Sequence, residues 1–103
     1  MKNLLTLGNS QDFDKLIASS SKVVVDFYAD WCGPCRAIAP TLEKFCEKHS
    51  TVTVIKINVD EFVDLAQKFM IRSIPTLLIY KDGKKVASHL GAISLADLES
   101  LVL

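Results

Sequence analysis

Apolar and polar positions along the chain follow a short period in some stretches and a helical one in others. Phe13, Leu16 and Ile17 recur at helical spacing behind Asn9 or Ser10, either of which can cap a first helix. That helix is expected to end around Ser19-Ser20-Ser21. Val23-Val24-Val25-Asp26-Phe27-Tyr28 is a β-branched and aromatic run without alternation, the pattern of a strand covered on both faces and central in a sheet. After Cys32, the residues Ile38, Leu42, Phe45 and Cys46 step by three and four as far as His49, predicting a long amphipathic helix that Pro40 should kink. Thr53 to Val59 reads as a second buried strand, and Asp60 as the cap of a helix carrying Leu65, Ala66 and Phe69. Thr76–Tyr80 and Val86–Leu90 flank an Asp82-Gly83 pair that favours a tight antiparallel reversal. Ser94 and Asp97 fit a capping box for a closing helix striped by Leu98, Leu101 and Val102. With a short strand near Leu4 to Leu7 the order is βαβαβαββα, an α/β fold with a mixed sheet and helices on both faces.

Composition narrows the class. The 103 residues, half of them apolar, suit a single domain over residues 1–103 with one core. Twelve basic against twelve acidic residues leave no footprint for nucleic acid or anionic lipid. Three cysteines are too few, and odd, for a disulfide-stapled secreted scaffold, so a reducing compartment is expected. The apolar run in Met1–Gly8 is short for a secretory leader and no later run reaches the length of a membrane span, which directs the expectation to the cytoplasm.

The chemistry concentrates in Trp31-Cys32-Gly33-Pro34-Cys35, at a junction of strand and helix. Cysteines three apart in a first helical turn lie within disulfide reach. A Cys32 at the N-cap faces free N–H groups and the positive end of the helix dipole, both of which favour a thiolate. Cys32 is therefore the expected nucleophile and Cys35, one turn in and shielded, the resolving thiol. Gly33 and Pro34 complete the turn, where the proline's missing N–H breaks no intrahelical bond. A bare Cys-x-x-Cys serves zinc as readily as redox chemistry, and Cys46 and His49 complete a Cys3His-like pattern. Helical spacing argues against that site, because eleven residues at a rise of roughly 1.5 Å put Cys46 about 16 Å from Cys35. No metal site is expected. Cys46 reads as a packing thiol with a secondary redox role left open, and His49 and His89 as surface or packing residues.

Val25-Asp26-Phe27-Tyr28-Ala29-Asp30-Trp31-Cys32-Gly33-Pro34-Cys35-Arg36, then Lys56-Ile57-Asn58-Val59-Asp60, Ile71-Arg72-Ser73-Ile74-Pro75-Thr76, and the later Gly91-Ala92 together resemble the thioredoxin family along essentially the whole chain. The resemblance implies a protein-disulfide reductase and electron carrier. It implies that Asp26 is the proton acceptor and donor for Cys35, and burial of an acid in an apolar strand would raise its pKa accordingly. It further implies a cis bond before Pro75 opposite the cysteines, an Ile74 backbone able to pair with an extended substrate, and an apolar docking surface of Trp31, Ile74, Gly91 and Ala92. The alternative for Gly91 is a turn into the last helix and nothing more. Lys56 either biases the charge of Asp26 or snorkels to solvent. Tyr28 and Ser73 depart from the pattern, standing where many members carry tryptophan and glycine. The implied partners are disulfide-containing target proteins and a thioredoxin reductase, usually an NADPH-dependent flavoprotein, with no cofactor bound to this chain and a monomeric state. Against this stands a docking module that leaves the thiols unused.

Overall fold

The computed structural model describes residues 1–103. Five strands, β1 (Leu4–Thr6), β2 (Lys22–Tyr28), β3 (Thr53–Asn58), β4 (Thr76–Lys81) and β5 (Lys84–Leu90), form one sheet in the order β1-β3-β2-β4-β5. The first three are mutually parallel, β4 is antiparallel to β2, and β5 is antiparallel to β4. Four helices cover it: α1 (Phe13–Ile17), α2 (Gly33–Lys48), α3 (Val63–Lys68) and α4 (Leu95–Val102). The expected βαβαβαββα order is the observed one.

The unalternating run in β2 has the anticipated cause, since the strand lies at the middle of the sheet with Val23, Val24, Val25 and Phe27 all buried. Alternate side chains feed two separate cores. Val24 joins Ile38, Leu42, Phe45 and Cys46 of α2 and Leu98 and Val102 of α4. Val23, Val25 and Phe27 join Phe13 and Ile17 of α1, Leu65 of α3, and Leu78 and Tyr80 of β4. Each core removes a dozen or so apolar side chains from water, the main favourable term in folding.

The local punctuation departs from expectation in instructive places. Asn9 accepts from the Gln11 N–H, but it caps a single 3-10 turn, Ser10–Asp12, which then leads into α1. Helix α1 stops at Ile17, ahead of the serine run. Asp60 does not cap α3: the helix begins after Phe62 without a side-chain cap, and it is Asn58 that shapes the turn, its Oδ1 accepting from the Asp60 N–H at 2.9 Å. Asx turns of this kind compete with helix capping, and here they release the Asp60 carboxylate for another use. Strand β3 accordingly ends at Asn58, and β5 starts two residues ahead of Val86. The reversal at Asp82-Gly83 holds both residues at positive φ, 51° and 80°, as a two-residue hairpin loop demands. Ser94 caps α4 by accepting from the Asp97 N–H at 3.1 Å.

Candidate functional site

The carboxyl end of β2 delivers the chain to the N-terminus of α2. Cys32 is the N-cap in extended conformation, with φ −83° and ψ 111°, and Gly33 and Pro34 open the helix. The Cys35 N–H, which the first helical turn leaves without an intrahelical partner, donates to Cys32 Sγ at 3.1 Å. Cys32 and Cys35 are joined in a disulfide, their Cα atoms 5.2 Å apart. Arg36 closes the loop from outside by donating from Nη1 to the Asp30 carbonyl at 2.7 Å.

One expectation fails in this state. Cys35 is expected to be the shielded member of the pair, yet Cys32 and Cys35 are 4% and 6% exposed. The pair is sunk together between Ala29, Tyr28, Val59 and Ile74. What separates the two sulfurs is their hydrogen bonding: Cys32 Sγ receives an N–H and lies 3.8 Å from the Ile74 carbonyl oxygen, whereas Cys35 points to the α2 side of the sheet.

On that side lies Asp26, 1% exposed, with no partner for its Oδ1. Burial pushes its carboxyl up from 3.8 to about 6, and the positive charge of Lys56 opposes the shift. Lys56 stands directly across from Asp26 in the β2–β3 register. Lys56 is half-buried, and its ammonium also rests 4.5 Å from the centre of the Tyr28 ring. A cavity of about 140 Å³ lined by Tyr28, Asp30, Cys35, Arg36 and Lys56 opens beside Cys35 and Lys56. It is polar and roomy enough for water.

On the opposite side of the disulfide the surface turns apolar. Trp31 is 68% exposed, and its indole N–H donates to Asp60 Oδ2 at 2.9 Å, the use to which the released carboxylate is put. Trp31, Val59, Ala66, Ile71 and Ile74 line a groove of about 190 Å³. The Ile74–Pro75 peptide bond is cis. Neither the N–H nor the carbonyl of Ile74 takes part in the backbone hydrogen-bond network, so both remain available as a strand edge. Gly91, at φ 85°, donates its N–H to the Pro75 carbonyl at 2.8 Å. It is therefore both a left-handed turn into α4 and a neighbour of the site. Ala92 is exposed one residue further on but lines no cavity; its carbonyl is 2.9 Å from His89 Nε2.

Sequence reasoning missed Asp60 as the partner of Trp31, and Val59, Ala66 and Ile71 as groove walls. Asp60 misled because an acid before a helix reads as a cap. The remote thiol and histidine of the zinc-like pattern stand at the far end of the unbroken helix α2, which runs through Pro40 to Lys48. There Cys46 is a free, buried thiol pushed up to about 11 by burial. His49 Nε2 lies 2.6 Å from Glu99 Oε2. No helix is long and apolar enough to cross a membrane.

The thioredoxin family profile matches residues 5–103. Thioredoxin-1 of Saccharomyces cerevisiae is 51% identical over 83 residues, covering 81% of each chain. The thioredoxin of Coprinus comatus is 43% identical over 98 residues, 93% of this chain and 92% of its own. Among solved structures, a mutant thioredoxin from Halobacterium salinarum superposes with a TM-score of 0.90 at 34% identity, over 97% of this chain and 88% of that one. Oxidised mitochondrial thioredoxin 3 of Saccharomyces cerevisiae superposes with 0.88 at 35% identity, over 98% and 94%.

Proposed function

The chain belongs to the thioredoxin family and is a dithiol/disulfide oxidoreductase, and on that premise we propose a role for each residue of its site. Cys32 is the nucleophile. Its thiolate attacks one sulfur of a substrate disulfide and expels the other as a thiolate, leaving substrate and enzyme joined through Cys32. Cys35 resolves this intermediate: its thiol gives a proton to the Asp26 carboxylate, and the resulting thiolate attacks Cys32 Sγ. The Cys32–Cys35 bond forms and the second substrate sulfur leaves, so two electrons pass from the dithiol to the target. The observation that carries this assignment is the N-cap geometry, in which an otherwise orphaned N–H and the positive helix end converge on Cys32 alone.

A carboxyl titrating near 6 suits the part given to Asp26, since at neutral pH it is mostly ionised and able to accept, yet close enough to the working pH to return the proton in the reverse direction. The cavity beside Cys35 and Lys56 supports access of water to the Cys35 side of this transfer. Lys56, Gly33, Pro34 and Pro75 support the geometry. Trp31, Ile74 and Gly91 form the docking surface, the free backbone of Ile74 pairing with an extended segment of the target. Ala92 flanks this surface and does not line it.

The partners we propose are disulfide-bearing proteins and a thioredoxin reductase supplying electrons from NADPH, with the chain acting as a monomeric single domain. A balanced charge supports neither nucleic acid nor membrane as a partner. An unpaired buried cysteine in addition to the redox pair suits a reducing compartment, and the cytoplasm is our assignment. Insulin disulfide reduction tests the mechanism. Cys35→Ser is expected to lose multiple turnover and to accumulate a mixed disulfide through Cys32, identifiable by mass; undiminished turnover would defeat the assignment.

A further inference from the structure

Beside the docking groove the fold leaves a second depression with a different character. β5 is an edge strand, and α1 and α3 cover the sheet only as far as β4 on that face. Thr76 and Leu78 of β4 pair in register with Leu90 and Ser88 of β5, which sets an uncovered strip next to the segment leaving α3. The result is a groove of about 250 Å³, with Thr76 and Leu78 in its floor, Phe69–Ser73 as one wall and Lys85, Ser88 and Leu90 as the other. Its apolar rim is open: Met70 is 75% and Leu90 66% exposed. Met70 is held outward at φ 53°, a left-handed conformation that a methionine seldom adopts.

Two features give this groove a preference. It is cationic, since Arg72 and Lys85 line it, no carboxylate does, and the only ion pairs in the structure join Lys48 and His49 to Glu99. Lys68 adds a third positive charge, its ammonium 5.7 Å from the centre of the Phe69 ring in the wall. The groove also adjoins the docking groove, because Ile71, Arg72 and Ser73 line both. An extended chain paired with Ile74 and advancing by roughly 3.3 Å per residue passes from one into the other within a few residues.

We propose that this second groove is a specificity subsite for the segment flanking the reactive cysteine of a target protein, and that it selects segments in which carboxylates alternate with an aliphatic side chain. The aliphatic group packs on Leu90 and Met70, and the carboxylates meet Arg72 and Lys85. This subsite rests on the thiol-exchange reading above and names which targets that reaction favours.

The test uses the reduced protein and two disulfide-linked peptides that differ only in a flanking Glu-Leu-Glu or Gln-Leu-Gln, placed about four residues to either side of the cysteine. Trp31, the only tryptophan, reports the rate of disulfide transfer by fluorescence. The acidic peptide is expected to react about fivefold faster at low ionic strength, with the advantage fading at about 0.5 M salt. Lys85→Glu should remove or invert that advantage while leaving the neutral peptide within about twofold of its original rate, and Lys85→Gln should fall between. Lys85 is exposed on an edge strand, and its replacement leaves the core intact. Equal rates for the two peptides, a preference that survives Lys85→Glu, or an equal loss for both peptides would each overturn the subsite. Self-association in sedimentation that disappears with Lys85→Glu would assign the groove to a second copy and overturn it as well. The thiol-exchange reading is judged separately by the neutral peptide, whose reduction must still depend on Cys35.

Discussion

Helix α2 carries a buried cysteine near each end, and the two ends are built for opposite purposes. At the N-terminus Cys32 is 4% exposed and receives the Cys35 N–H, next to a carboxyl whose Oδ1 has no partner and a tryptophan left in solvent. At the C-terminus Cys46 is 1% exposed, and no buried side-chain nitrogen or oxygen near it lacks a partner. The Asn3 side-chain amide donates to the carbonyls of Cys46, His49 and Val52 at 3.0, 3.1 and 3.0 Å. Glu99 of α4 binds Lys48 and His49, whose hydrogen bonds hold its carboxyl below the usual range. Burial therefore does not distinguish the two thiols. Helix polarity and unused hydrogen-bonding capacity do: partial positive charge and a free N–H at one end, partial negative charge and satisfied carbonyls at the other. Groups left incompletely satisfied reduce stability, and in this chain they gather where the chemistry is proposed.

The sharpest way to break this contrast is to exchange each cysteine in turn. Cys32→Ser should lower disulfide reduction by at least about a thousandfold, because a serine hydroxyl cannot take over thiolate attack. Cys46→Ser should leave kcat/KM within about twofold, and a comparable loss in both variants would mean that the far end takes part. A second consequence concerns Asp26, whose folded-state pKa of about 6 lies above the ordinary 3.8. A raised carboxyl favours the folded state below the unfolded pKa and loses that contribution as pH rises through the folded one. At pH 7 the ionised, buried carboxylate then costs about 3 kcal/mol relative to pH 3. Asp26→Asn should accordingly be more stable than the parent by up to that amount at pH 7, with the gap closing on acidification. Urea unfolding at a series of pH values measures it, and a gap independent of pH would show that folding does not shift the Asp26 carboxyl.

Smaller effects sharpen the same comparison. In the reduced protein, alkylation by iodoacetamide at pH 8 should modify Cys32 about a hundredfold faster than Cys46, whose thiol sits near 11 and becomes reactive only on unfolding. Peptide mapping after short exposure resolves the two. Asn3→Ala should cost about 2 kcal/mol through its lost carbonyl contacts with no change in turnover. A loss of activity there would connect ends that the structure keeps apart.

Most of the fold was legible because the apolar pattern and the tertiary environment agree. β2 lacks alternation and is covered on both faces, α2 steps by three and four and presents one face to α4, and Asp82-Gly83 takes the left-handed conformations its residues tolerate. Failures came where one local signal had two outlets. Asp60 could cap a helix or accept from an indole, and only the arrival of Trp31 from a distant strand end, after Asn58 had taken the turn, decides between them. The relative exposure of Cys32 and Cys35 was illegible for a similar reason, since the cover over both comes from Val59 and Ile74, far along the chain. The burial of Asp26 and the cis bond before Pro75 agree with what the family resemblance implies, while the second groove left no mark in the sequence because it arises from the absence of a covering helix over an edge strand.

The spacing of the redox pair has one more consequence, for the unfolded chain. A bond between residues three apart closes a ring so small that the entropy it removes from the unfolded ensemble amounts to only about 2 kcal/mol, against nearly 5 for a loop of a hundred residues. This contribution still separates the two redox states, by a sizeable part of a small domain's stability but by less than half of what a bond closing a hundred-residue loop would give.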